Sequence, residues 1–151
     1  MKTFFIFVGV MLFASASVAS DNDLKEFIWT NKASFHKSSS KTISPVIDSL
    51  LELNSGGTEK FLLSWLNKEL WFRKSDGLVV TAKKLEKKSY KIFDVIDEQL
   101  IEVIDKKKIK QIKPNSGVRA IISSALVQFQ LLNTDPSIRS KTLDSIARKP
   151  E

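Results

Sequence analysis

One histidine and no cysteine are available for chemistry in this sequence of 151 residues. His36 opens the polar segment 36–41, and no serine–acid or cysteine pattern beside it indicates a catalytic partner. Without cysteine, disulfides, iron–sulfur clusters and thiol catalysis are excluded. We interpret His36 as a surface side chain rather than as a catalyst or a metal ligand.

Acidic side chains form no catalytic or metal-binding pattern. The closest group of carboxylates consists of Asp94, Asp97, Glu98 and Glu102. Their spacing is typical of a hairpin tip rather than of a metal site. Gly56-Gly57 lacks the Lys-Ser/Thr pair of a phosphate-binding loop. The sequence therefore predicts no catalytic residue, no metal and no cofactor, and a protein that is not an enzyme.

The segment 70–77 offers side chains suited to binding. Asp-Gly between two β-prone runs is a strong hairpin signal, and consecutive residues of the first strand, Trp71 and Phe72, point to opposite sides. One ring is then either a cap over the core or an exposed group beside Arg73. Interfaces favour Trp and Arg anchors. The candidate partner surface is Trp71, Phe72, Arg73, Asp76 and Gly77, and we expect Arg73 and one of the aromatic rings to contact the partner.

The N-terminus has the order of a secretory signal peptide. Lys2 is followed by an apolar run over residues 4–13 and then by small residues, with Ser17 and Ala19 at the −3 and −1 positions of a cleavage site. The apolar run is well short of the roughly 20 residues that span a bilayer as a helix. We predict a signal peptide over 1–19, cleavage near Ala19, and a single periplasmic domain over 20–151.

The chain is basic, with a formal net charge of +7 and lysine-rich runs at 83–88 and 106–108. The predicted export argues against a nucleic-acid partner. The lysines are interpreted either as a solvated surface or as a surface for anionic lipid head groups or an acidic partner.

Hydrophobic spacing predicts helices on both sides of a β insert over about residues 70–104. Asp21 or Asp23, Ser44 before Pro45, and Thr58 are the expected N-caps of the first three helices. Two hairpins are predicted to form the insert, and a helix is the alternative for the last run of the second hairpin, residues 100–104. A long helix follows Pro114, and a last helix begins after Asp135-Pro136, where it is expected to bury Ile138, Leu143, Ile146 and Ala147. The predicted fold class is α+β, mainly α, with HEAT-like helical hairpins.

Three motifs in this order resemble a known family. They are Leu70 to Gly77, the basic stretch leading into Asn115 to Arg119, and Leu131 to Arg139 with its Asp-Pro-x-x-Arg unit. The chain from about Ser44 to Pro150 is similar to the periplasmic, HEAT-like N-terminal region of the urea-type ABC transporter permease, of the branched-chain amino acid permease group, without its membrane-spanning part. Ser116-Gly117 replaces a polar or basic pair that is usual in that family.

The resemblance implies a non-catalytic periplasmic module of an ABC-type importer of urea or a related small amide. Its partners would be the permease or substrate-binding subunits. Two alternatives remain open from the residues: a stand-alone secreted hydrolase, interaction protein or inhibitor, and a membrane-surface protein that binds through its lysines.

Overall fold

The computed structural model describes residues 20–133 and 135–148, so the predicted signal peptide lies outside the described residues. The helices are α1 (Asp21–Thr30), α2 (Lys32–His36), α3 (Ser44–Glu52), α4 (Thr58–Leu66), α5 (Ser116–Leu131) and α6 (Pro136–Ala147). The strands are β1 (Leu70–Arg73), β2 (Val79–Lys84), β3 (Ser89–Asp94), β4 (Leu100–Asp105) and β5 (Ile109–Gln111). The predicted α+β class is confirmed. Within the described ranges, no helix has both the length and the apolar character needed to cross a membrane.

The helix caps differ from several of those predicted. Ser20 caps α1, and its hydroxyl and the side chain of Asp23 form a reciprocal capping box. Ser44 and Thr58 are wrong as caps, because each already lies inside its helix and neither α3 nor α4 has a side-chain cap. Asp135 does cap α6, where its carboxylate accepts a hydrogen bond from the backbone N–H of Ser137 at 2.8 Å.

All five strands form one antiparallel sheet in the order β4-β3-β2-β1-β5. The two predicted hairpins are present as β1–β2 and β3–β4. The sheet extends beyond the predicted end of the β insert near residue 104, because β5 returns to pair with β1. A 3₁₀ turn at Lys106–Lys108 separates β4 from β5. A three-residue strand among lysines gives too short an alternating pattern for sequence analysis to detect.

The sheet is strongly curled. Arg73 at the end of β1 forms an ion pair with Glu102 of β4, with Nη1 and Oε1 2.5 Å apart, although β2 and β3 lie between these strands. Three inter-strand steps would separate the two strands by roughly 14 Å in a flat sheet. The ion pair therefore indicates that the sheet curls, so that β1 and β4 approach each other on its concave face, which we call the inner face.

The two faces of the sheet bury separate apolar clusters. On the outer face, Leu70 and Val79 join the helical core around Phe35, Phe61 and Trp65. On the inner face, the cluster consists of Val80, Tyr90, Ile92, Ile104 and Ile109 with Trp71, Leu78 and Ala82 at its margin. Alternation along β1 and β2 distributes side chains to both clusters.

Helix α6 is less buried than predicted. Leu143 and Ile146 are 57% and 44% exposed, and Ile138 and Ala147 are also exposed, so the expectation that these four residues are buried is wrong. The buried residue of α6 is Thr142, whose hydroxyl donates to the carbonyl of Ile138 within the helix. The helix packs chiefly on α5, and one neighbour covers only one side of a helix.

Candidate functional site

A groove of about 690 Å³ runs along the outer edge of β5. Strand β1, the 3₁₀ turn and the end of α2 provide its other walls. Its lining consists of His36, Lys37, Ser38, Trp71, Phe72, Lys106, Ile109, Lys110, Gln111, Ile112 and Lys113. The groove therefore combines aromatic rings with four lysines, and no carboxylate is among the lining residues.

The aromatic part of the groove comes from two consecutive residues of β1. Trp71 lies on the inner face, with its ring 5.4 Å from that of Tyr90, and Phe72 packs against the helical core on the other face. The predicted opposite orientation is confirmed. Both rings are half-buried, so each is partly a cap over a core and partly a wall of the groove. Because both faces contribute, the groove wraps around the sheet edge.

His36 is half-buried rather than free on the surface. Its ring stacks on Phe72 with the centroids 4.0 Å apart and the planes 18° apart. Its buried Nε2 atom has no hydrogen-bond partner among the described residues. Burial lowers the pKa of His36, an opposing hydrogen bond with the Gly77 backbone raises it, and the positive charge of Lys32 adds to the lowering. The geometry therefore favours the neutral imidazole.

We expect the protein to lose stability as the pH falls below the ordinary pKa of histidine, 6.5. The folded-state pKa of His36 is lowered, so the unfolded chain takes up this proton first. The stabilisation is fully present above pH 6.5 and is lost as the pH falls toward the folded-state pKa. Urea denaturation at several values between about pH 7.5 and pH 5 measures the effect. His36→Phe keeps a ring on Phe72 and should remove the pH dependence, and an unchanged slope in this variant would assign it to other groups.

Arg73 and Asp76 form a tight pair at the β1–β2 turn. The guanidinium donates from Nε and Nη2 to the two carboxylate oxygens of Asp76 at 3.0 and 2.6 Å, and from Nη1 to Glu102. Arg73 holds the pKa of Asp76 down at about 2, and the backbone N–H of Leu78 adds to the lowering. The pKa of Arg73 is raised by the same carboxylates. Most of the guanidinium donors are thus used inside the fold.

Gly77 completes this turn in the left-handed region, with φ of 77°. A Cβ atom at this position would lie 3.1 Å from Cε1 of His36, so the turn also packs against α2. The five residues of the candidate partner surface are therefore divided between the groove and the β1–β2 turn. Trp71 and Phe72 line the groove, whereas Arg73, Asp76 and Gly77 build the adjacent turn.

The lysines give the groove a positive potential. Lys37, Lys106, Lys110 and Lys113 are all exposed. From residue 68 to residue 113 the sequence contains 13 Lys or Arg and 8 Asp or Glu, so this part of the chain carries most of the net positive charge. Such an arrangement attracts anions. The sequence indicated a basic stretch that contains Lys106, Lys110 and Lys113, but it did not predict that these lysines and Lys37 line one groove with Trp71 and Phe72.

The acidic residues of the β3–β4 turn serve as ion-pair partners. Lys25 of α1 lies 3.2 Å from Asp94 and 2.6 Å from Asp97, and Lys60 of α4 lies 3.0 Å from Glu98. These contacts tie the turn to the helices. Across residues 20–133 and 135–148, no group of three or more His, Cys, Asp or Glu side chains is arranged to hold a metal ion.

No protein-family model, no curated protein and no solved structure matches this chain. The fold and the groove define it as an α+β protein with a basic, aromatic groove at a sheet edge.

Proposed function

We propose that this protein is a non-catalytic binding module that holds an acidic, extended segment of a partner protein in the groove beside β5. The observation that carries the proposal is the composition of the groove, with four lysines, Trp71 and Phe72 in its lining and no carboxylate among them. Aromatic anchors surrounded by charged groups are typical of binding surfaces.

The edge position of β5 favours an extended ligand. One side of this strand pairs with β1, and no other strand of the described chain pairs with its outer side. An added strand can satisfy the free backbone groups at such an edge, while its side chains reach both faces of the sheet. Carboxylates of the ligand would meet Lys110 and Lys113, and apolar side chains would cover Trp71 and Phe72.

Charge reversal in the groove tests the proposal. We expect Lys110→Glu combined with Lys113→Glu to weaken binding of a synthetic peptide of alternating Glu and Val by about tenfold or more, since like charges then face the peptide. Isothermal titration calorimetry measures the affinity. Both lysines are exposed, so the fold should remain intact, and circular dichroism checks this.

A matched control carries the same change in net charge on a distant surface. Lys141→Glu combined with Arg148→Glu alters two exposed residues of α6 and its C-terminal end. This variant should bind the peptide as the unmodified protein does. Equal loss in both variants would show that net charge alone governs binding. Binding to vesicles of anionic lipid without binding to the peptide would instead support the membrane-surface alternative and overturn the proposed partner class.

The cellular context of this module is part of the same proposal. We place it in the periplasm after cleavage of the signal peptide near Ala19, as a component of an ABC-type importer of urea or a related small amide. The resemblance supports this placement, and α5 and α6, joined by the Asp135-capped break, are proposed as a HEAT-like pair.

Arg73 with one neighbouring ring stays the predicted contact to a permease or substrate-binding subunit. Co-purification of the tagged protein with transporter subunits tests the assignment, and their absence from the purified complex would contradict it.

A further inference from the structure

The opposite edge of the sheet is β4, and it differs from β5 in length and character. β4 contains six residues, pairs only with β3, and exposes Leu100, Ile101 and Val103 by 54%, 39% and 52%. Edge strands of this length are usually protected by lysines, proline or a covering element. Lysines protect the short β5 edge, whereas the exposed side chains of β4 are mainly apolar.

A bulge brings these apolar side chains to one face. The pairing of β3 with β4 passes from Ile92–Glu102 to Phe93–Leu100, which leaves Ile101 as the extra residue. In a bulge, two consecutive residues of one strand oppose one residue of the neighbouring strand, so Leu100 pairs with Phe93 on the outer face and Ile101 can share that face. Val103 pairs with Lys91 on the outer face, while Glu102 turns inward to Arg73. The outer face of β4 is therefore an apolar strip beside an unpaired backbone edge.

The two ends of β4 carry opposite charges. Asp97 and Glu98 precede the strand, and their side chains remain 38% and 69% exposed although they contact Lys25 and Lys60. At the other end, the last residue of the strand, Asp105, is followed by Lys106, Lys107 and Lys108, and all four are exposed, so this end is basic on balance. A strand with one acidic end and one basic end is complementary to an antiparallel copy of itself, because each basic end then lies beside an acidic end.

We propose that β4 pairs antiparallel with β4 of a second copy of this chain and forms a two-fold symmetric dimer with a continuous ten-stranded sheet. With the two-fold axis near Glu102, Ile101 of each copy opposes Val103 of the other. The same register places Glu98 of each copy beside Lys106 of the other, and Asp97 beside Lys107. Arg73 neutralises Glu102, which is the acidic residue nearest the axis. This surface shares only Lys106 with the groove of the proposed function, and the variants that test the two surfaces change other residues, so either proposal can fail without the other.

Sedimentation analysis of the purified protein tests the dimer. We expect the average mass to rise from that of one chain toward twice that value as the concentration increases over about two orders of magnitude, since an edge-to-edge interface is small and its affinity modest. High salt should weaken the association, because the pairs at the two ends are exposed to solvent.

Val103→Glu provides the specific test. The new carboxylate would face Lys91 across the sheet, so the monomer should keep its fold, but the dimer would have to bury a charge against Ile101. We expect at least about a tenfold increase in the dimer dissociation constant. Leu85→Glu is the matched control, since Leu85 is 50% exposed at the β2–β3 turn and β3 separates it from the free edge of β4. It should dimerise as the unmodified chain does.

Two results would overturn the proposal. A single-chain mass at every concentration excludes the second copy and leaves the β4 edge to a strand from another protein. A dimer that resists Val103→Glu places the interface elsewhere on the molecule. Loss of association in the Leu85→Glu control would have the same meaning, because that residue lies outside the proposed interface.

Discussion

Replacing Trp65 by alanine should lower the free energy of unfolding by about 4 kcal/mol, the largest effect of a single substitution that we expect in this protein. Trp65 is fully buried at the centre of the helical core. Its ring meets Phe35 edge-on at 5.3 Å and lies 6.3 Å from Phe61, so truncation removes a large apolar surface and leaves a cavity among rigid rings. Equilibrium denaturation in urea or guanidinium chloride measures the loss.

Two further tryptophan substitutions provide a comparison for the loss of stability expected in Trp65→Ala. Trp65→Phe keeps an aromatic contact and removes an indole N–H that has no hydrogen-bond partner among the described residues, so we expect a smaller loss of about 1–2 kcal/mol. Trp29→Ala changes a side chain that is 44% exposed and should cost less than about 1 kcal/mol. If Trp65→Ala cost no more than Trp29→Ala, Trp65 would not be central to the core.

Arg73→Ala should lower the free energy of unfolding by about 2 kcal/mol, since it leaves two carboxylates without their guanidinium and opens the curl of the sheet. The side chain of Arg73 is 22% exposed, and those of Asp76 and Glu102 are 35% and 41% exposed. Solvent screens the pairs partly, so the expected loss is below that of a fully buried ion pair. Thermal and chemical denaturation of the variant provide the measurement.

The ion pair between Arg73 and Asp76 should also produce a distinct loss of stability in acid. The pKa of Asp76 is lowered from 3.8 to about 2 in the folded protein, so its stabilisation is fully present above pH 3.8 and is lost as the pH falls through about 2. Asp76→Asn should remove this component. Arg73→Lys is the second control, because an ammonium keeps the charge but cannot form the two-pronged contact. Unchanged stability of Arg73→Ala, together with weaker binding of a partner, would contradict the structural role of Arg73 and leave only its proposed binding role.

Local patterns in the sequence predicted the elements whose causes are local. Asp76-Gly77 fixes the β1–β2 turn, because Gly77 adopts the left-handed conformation that such a turn requires. Helical spacing identified Phe61, Leu62 and Trp65 as core residues, and all three are fully buried. The opposite directions of Trp71 and Phe72 followed from strand geometry alone.

Features that depend on distant contacts were not predictable in the same way. The pairing of β5 with β1 joins Trp71 to Gln111, and the groove exists only after that pairing has formed. The partners of Arg73 also required the structure, since Glu102 lies three strands away in the sheet. Thr58 resembled a cap because of its residue type, but the backbone places it within the helix and buries its hydroxyl without a partner among the described atoms.

In the sequence, all five strands lie between α4 and α5, although these two helices pack against each other, and this arrangement has a consequence for the order of folding. Helix α5 packs against α3 and α4, so the N-terminal helices lack this neighbour until the chain has passed through all five strands. Contacts between segments so far apart in sequence make chain closure entropically costly and slow the folding reaction. The helices and the sheet must then condense together, and we expect the transition to be cooperative rather than to proceed from the N-terminus as the chain emerges.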